Sequence, residues 1–301
     1  MSLLLFVVDE CHPFSNFVFD NRELVVDADS HLCNPDNERI MVTFQIGQHS
    51  VEMYDDIAAL PIARFHKYQK MLLVDAGVGA DIPAFDQRIE KMRRFLMTGK
   101  SDKAQQELEN LRQCVFLIQN EISPQHRAFA TLVTKIDGKE CTDISDDALT
   151  KIVEMLADAP ISEVTANFLA VKKKIDAELM LYFPQLFNDS TIKEYYDLLK
   201  KRTEAVLNGI IDGLPDPTAT QAVEELTTAL VTFTNPQIFA GSDGVEVQFD
   251  RQYENLCLML SEQLHVDPKK YTVLEFYNAF DFIQQRARKA EQASKRPKSG
   301  R

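Results

Sequence analysis

The chain has no tryptophan, five cysteines and ten glycines in 301 residues, and its 33 Lys and Arg fall short of its 46 Asp and Glu. Each shortage excludes something. The cysteines, at 11, 33, 114, 141 and 257, are odd in number and widely spaced, which argues against a disulfide scaffold and for reduced thiols in a cytoplasmic setting. Long apolar runs are missing as well. The stretch 3–8 holds six apolar residues before Asp9, against about seven for a secretory signal core and about twenty for a membrane helix. The expectation is a cytoplasmic protein with no membrane contact, in which the acceptor pattern Asn188-Asp189-Ser190 carries no sugar. The shortage of basic residues is uneven. Residues 286–301 hold seven basic groups and one acidic one, which leaves a net −19 on the other 285 residues. So acidic a body repels phosphate backbones, and nucleic acid is disfavoured except through the tail 286–301.

What remains is ample material for a core, at 45% apolar and 26% charged, in a length that suits one large or two ordinary domains. Residues 1–38 form a leader of short apolar runs broken by Pro13, Pro35 and several Asp and Asn, irregular or short-stranded. A β-hairpin follows within 39–58: Ile40, Val42, Phe44 and Ile46 alternate on one face, Gly47-Gln48 turns, and Val51 and Met53 return on one face. From residue 59 the pattern is helical. Helices are expected over 61–74, 84–97, 101–122, 124–136, 145–158, 161–183, 190–211, 218–234, 250–265 and 272–290. In 84–97 the apolar line is Phe85, Ile89, Met92, Leu96. In 101–122 it is Ala104, Leu108, Leu111, Val115, Ile118, Ile122, and the two should pack as an antiparallel hairpin. Thr218-x-x-Gln221 and Thr272-x-x-Glu275 have capping-box spacing, and residues 245–247 read as a short strand. The fold class is therefore mainly α with a small N-terminal β element (α+β), built of antiparallel helical hairpins or a bundle. Residues 59–211 and 218–290 are two helical subdomains joined by a linker at 212–217, with a basic disordered tail at 291–301.

No group of residues announces a reaction, and the chain is expected to be non-enzymatic with no cofactor. Asp75-Ala76-Gly77-Val78-Gly79 resembles the phosphate loops of actin-like ATPases if 71–74 is a strand; otherwise Gly77 and Gly79 end a helix. Asp75, Gly77 and Gly79 are thus the nucleotide-binding candidates. Cys11, His12, His31 and Cys33 are metal-ligand types, although adjacent Cys-His and a one-residue gap suit a zinc tetrahedron poorly. Residues 27–38 have the length and acidic ends of a calcium loop but Leu32 where the sharp turn needs glycine, which excludes it. His66 and His126 have no carboxylate or nucleophile at a telling spacing, and Cys114 and Cys257 read as small core hydrophobes. Acidic neighbours such as Asp146-Asp147 and Glu224-Glu225 diverge on a helix and form a solvated face.

The last helix is apolar on more than one side and so packs inside the domain or against another subunit; Phe276, Tyr277, Phe280 and Ile283 are the expected protein-contact residues, with Phe65 and Tyr68 of the 60–68 segment second. Partners are other proteins, including a second copy in a homo-oligomer. The hairpin 40–54, the segment Leu60-Pro61-Ile62-Ala63-Arg64-Phe65-His66-Lys67-Tyr68 and the segment Leu72-Leu73-Val74-Asp75-Ala76-Gly77-Val78-Gly79 resemble proteins of the structural and tail-assembly gene modules of tailed phages and prophages of gut bacteria. Residues 108–118 and 271–282 extend the likeness, and the leader 1–38 stands outside it. That resemblance implies a virion component or tail-assembly factor made in the host cytoplasm.

Overall fold

The structure, a computed structural model, describes residues 41–187, 190–211, 217–239 and 241–295. The leader, its metal candidates Cys11, His12, His31 and Cys33, the segment 212–216 of the expected linker and the tail beyond Lys295 lie outside the described residues. The described chain is mainly helical with one small antiparallel sheet, the class expected. It divides into two compact units, each gathering more than one stretch of chain: residues 41–71, 125–186 and 249–295 in one, and 72–124 with the described part of 187–248 in the other.

The first unit holds the sheet. Strands β1 (Val42–Ile46) and β2 (His49–Met53) form the expected hairpin, with Val42 opposite Met53 and Ile46 opposite His49. Ile46, Val51 and Met53 are fully buried, as period-two alternation requires when one face of a hairpin is covered. On its other side β2 pairs with β3 (Val133–Ile136), followed by β4 (Lys139–Glu140), in the order β1-β2-β3-β4. The expected helix 124–136 is corrected here. Helix runs only over Pro124–Leu132 and the next four residues are strand. The cause is legible in hindsight: Val133, Thr134 and Ile136 are β-branched and Asp137-Gly138 follows. Both turn residues have positive φ (51° and 77°), the geometry of the tight hairpin turn for which Asp-Gly is the strongest sequence signal. Asp137 also accepts from the Ser50 amide at 2.9 Å and pairs with His49 Nδ1 at 2.7 Å, which ties the turn to β2.

Helices α1 (Ile62–Gly77), α2 (Ile82–Met97), α3 (Ser101–Gln119), α4 (Pro124–Leu132), α5 (Asp146–Met155), α6 (Ile161–Tyr182), α7 (Pro184–Phe187), α8 (Ser190–Ile211), α9 (Pro217–Val231), α10 (Val245–Leu264) and α11 (Val273–Lys295) complete the described elements, with one 3-10 turn at Pro268–Lys270. The expected strand at 245–247 is instead the first turn of α10. Gly244 donates to Gly241 O and the Val245 amide to Ile238 O, a tight bend that feeds directly into a helix. In the sheet unit, α6 turns Val164, Phe168, Val171, Ile175 and Leu179 inward, and Phe65, Tyr68, Phe129 and Phe276 complete an aromatic centre. The starts of α1 and α11 are clipped together: Ile62 donates to Tyr271 O and Val273 to Leu60 O, both at 2.9 Å. The capping box of α11 is formed in both directions, Thr272 amide to Glu275 Oε2 at 2.9 Å and Glu275 amide to Thr272 Oγ1 at 3.3 Å. Buried Arg64 holds the α4-to-β3 switch. Its guanidinium donates to the carbonyls of Thr131 and Val133, each at 3.0 Å, and to that of Cys141.

In the second unit α2 and α3 form the expected antiparallel hairpin, turned at Gly99. Helices α8 and α9 pack together as well, and Tyr195 of α8 meets Phe233, just past the end of α9, edge-on.

Candidate functional site

The α2–α3 hairpin does not bury the lines of residues that its periodicity selects. On α3 the most buried positions are Ala104, Glu107, Asn110, Cys114 and Leu117, while Leu108, Leu111, Val115 and Ile118 are only half-buried. On α2 the buried residues are Arg94 and Phe95, while Ile89 and Leu96 of the expected inner line stand in solvent. Apolar periodicity fixed that these are helices. It misplaced their inward faces, because the inward polar groups find partners and so can be buried.

Those partners form a network of ions. Fully buried Glu107 has the Arg88 guanidinium 3.5 Å from Oε2 and the Lys91 ammonium 3.0 Å from Oε1, the latter close enough for an ion pair but not aligned as a hydrogen bond. Burial pushes the Lys91 ammonium below its ordinary pKa against the pull of Glu107. Arg88 also donates to Ala76 O at 2.8 Å and Val78 O at 3.3 Å, so a cation caps the C-terminus of α1 where the helix dipole favours one. Lys91 reaches Thr234 Oγ1 at 3.2 Å, and Asn110 donates to Gln237 O at 2.8 Å. Arg94 joins Glu90 to Glu224 and Thr228 of α9. The network therefore fixes α2 and α3 against the segment 234–237. Every cation in it is matched, and it orders backbone without presenting a reactive group.

The twin glycines lie beside this network and are not a phosphate loop. Residues 71–74, which that reading needs as a strand, are helix, and α1 continues to Gly77. A phosphate cradle needs free amides, yet those of Val78 and Gly79 both donate to Val74 O, at 2.7 and 3.3 Å. Gly77 is small for packing: an added Cβ would come within 1.9 Å of the Phe239 ring. Gly79 has φ +74° and would place a Cβ 2.3 Å from that of Ala84. Asp75 is mostly buried, and burial followed by the charge of Asp81 raises its pKa to about 6. Asp81 meanwhile caps α2, accepting from the Ala84 amide at 2.7 Å.

In the sheet unit His66 gains the partners that sequence spacing could not reveal. Its ring stacks on Phe249 and Tyr253, with centroids 4.6 and 4.1 Å away, and its Nε2 lies 2.8 Å from Asp250 Oδ1. Lys70 holds the other oxygen of Asp250 at 2.6 Å. Burial lowers the pKa of His66, and the Asp250 hydrogen bond only partly restores it. Phe249, Asp250 and Tyr253 lie one turn apart on α10, so the signal was an i, i+4 aromatic pair around an acid. The nearby Cys257 thiol is pushed up by burial, which keeps it protonated, as is the buried Cys114 thiol.

The expected contact residues lie largely inside the sheet unit. Phe65, Tyr68 and Phe276 are buried in the core of the sheet unit, Ile283 nearly so, and Tyr277 and Phe280 are half-buried. Tyr277 packs against Phe65, Phe183 and Phe276. Most of the hydrophobicity that marked this helix is satisfied by its own chain, although Phe282 is 52% exposed. Other apolar side chains left in water fall on α2 and α6 among others. On α2 they are Ile82, Ile89, Leu96 and Met97; the first three, exposed by 64, 38 and 57%, are spaced by seven and hence lie on one line of the helix. The run Met180-Leu181-Tyr182 at the end of α6 is a second group, with Leu181 75% exposed.

Among the described residues no group of three His, Cys, Asp or Glu is placed to hold a metal ion, and no helix is long and apolar enough to cross a membrane. No family model, curated protein or solved structure matches the chain.

Proposed function

We propose that this protein acts by binding other protein and catalyses no reaction, and, more finely, that it is a virion structural or tail-assembly component of a tailed phage. The observation that carries the first statement is the exposed line Ile82, Ile89, Leu96 on α2. Single apolar residues on a surface are ordinary. Three in register on a helix whose opposite face is charged and ion-paired are not, since exchanging the two faces would have cost less desolvation. An apolar helix face read at seven-residue spacing is a common mode of protein recognition. The finer statement is supported by the resemblance of residues 40–96 to phage structural-module proteins and by the acidic body, which disfavours nucleic acid as the main ligand.

The test is co-expression of the full chain with the products of its neighbouring genes, followed by purification through a tag on this chain. A stoichiometric complex that is lost on substituting Ile89→Asp or Leu181→Asp, with helical circular dichroism unchanged, is the expected result. A chain that retains none of those products, and whose melting midpoint rises instead with ATP, GTP or a divalent metal, overturns the proposal.

A further inference from the structure

We infer that the exposed line of α2 is a self-complementary dimer seam, on which the same helix of a second copy lies antiparallel. The inference rests on the protein-binding reading above and names its partner. Between the three apolar residues of the line stand two exposed charges, Asp86 and Arg93, so that the face reads Ile82, Asp86, Ile89, Arg93, Leu96. Reversing that order about Ile89 sets Ile82 opposite Leu96 and Asp86 opposite Arg93, within one residue, or about 1.5 Å of rise. A helix that reads the same when reversed, with acid exchanged for base, is what a twofold interface needs, because each patch must complement itself. A parallel pairing would instead oppose acid to acid and base to base.

The state of the two charges agrees. Asp86 is exposed and pairs with no cation of its own chain among the described residues. Arg93 is bound on one edge only: its Nε and Nη2 face Glu90 at 2.7 and 2.8 Å. Its Nη1 has only the weak thioether acceptor of Met97, at 3.5 Å. A carboxylate from a second copy would meet that remaining edge. The seam is held rigid from behind, since Arg88, Lys91 and Arg94 on the opposite side of α2 are fixed by Glu107, Glu90 and Glu224. One helix pair is a small interface, so self-association should lie in the micromolar range.

The experiment is sedimentation equilibrium of the full chain from about 5 to 500 µM, with circular dichroism and urea midpoints as folding controls. The wild type is expected to pass from the mass of one chain to that of two. Ile89→Asp should weaken the dimer at least about tenfold by placing two carboxylates on the axis, and Asp86→Arg should weaken it similarly by opposing Arg93. The double variant D86R/R93D restores complementarity and should return to within about threefold of wild type. A chain that stays monomeric throughout, a dimer indifferent to Ile89→Asp, or a double variant no tighter than Asp86→Arg alone each overturns the seam. Failure here is separable from failure of the broader reading: a monomer that still retains a neighbouring gene product in the co-expression test removes only the second copy as partner.

Discussion

Asp75 and Arg64 show how much the environment of one side chain decides. The folded pKa of Asp75, about 6, lies above its ordinary 3.8, so the native state favours the protonated carboxyl. The fold is then unpenalised by this group below about pH 4 and loses stability as the pH rises from there to about 6; beyond that the loss is constant. Replacing Asp75 by Asn removes the penalty. Asp75→Asn should gain about 3 kcal/mol over wild type in urea unfolding at pH 7.5 and little at about pH 3. Arg64 is the opposite case, a buried cation that satisfies three carbonyls where α4 becomes β3. Arg64→Met keeps the bulk but orphans those carbonyls, and a loss of about 3 kcal/mol in the same assay is expected. Lysine should recover only part of it, since a compact ammonium cannot span three acceptors as the planar fork does. Neither role was legible in the sequence. Asp75 read as a phosphate-loop residue and Arg64 as one residue of a helical run, because the groups that define them lie on other elements.

At the scale of the element, local chemistry was far more legible. The capping box at Thr272 and Glu275 forms as its spacing requires, and Thr272→Ala should cost about 1 kcal/mol, measured as a lowered urea midpoint. Helix existence followed from apolar period and from prolines kept out of helix interiors. The strands β3 and β4 and the short helix α7 escaped, and one strand was expected that does not form. Residues 133–136 continue a helical run of apolar residues, and only the β-branched pattern before Asp137-Gly138 marks the strand that they become. Residues 245–247 have strand-forming valines, yet with no strand beside them among the described residues they join the helix that follows. The inward faces of α2 and α3 were misread for a related reason. Periodicity reports where apolar residues recur, whereas burial depends on whether polar residues such as Glu107 and Asn110 find partners.

On the scale of the whole molecule, charge and exposed apolar surface act against each other. A formal charge of −13 per chain makes two copies repel at long range, while the α2 line draws them together at short range. Salt screens the first and leaves the second, so the dimer should tighten a few-fold between about 20 and 300 mM salt. Sedimentation equilibrium at the two ionic strengths checks this, and weakening with salt would mean that the Asp86–Arg93 pairing outweighs the net charge.

The sequence by itself determined that this is a mainly helical chain with a β-hairpin, where most of its helices lie, and that its body is acidic. Those properties follow from period, capping and composition, which act within a few residues. Only the tertiary structure decided that Phe65, Tyr68 and Phe276 are core, that Gly77 makes room for Phe239, and that the apolar line of α2 faces water. Each of these depends on what lies opposite in space, and a side chain's own neighbours in the chain do not reveal that.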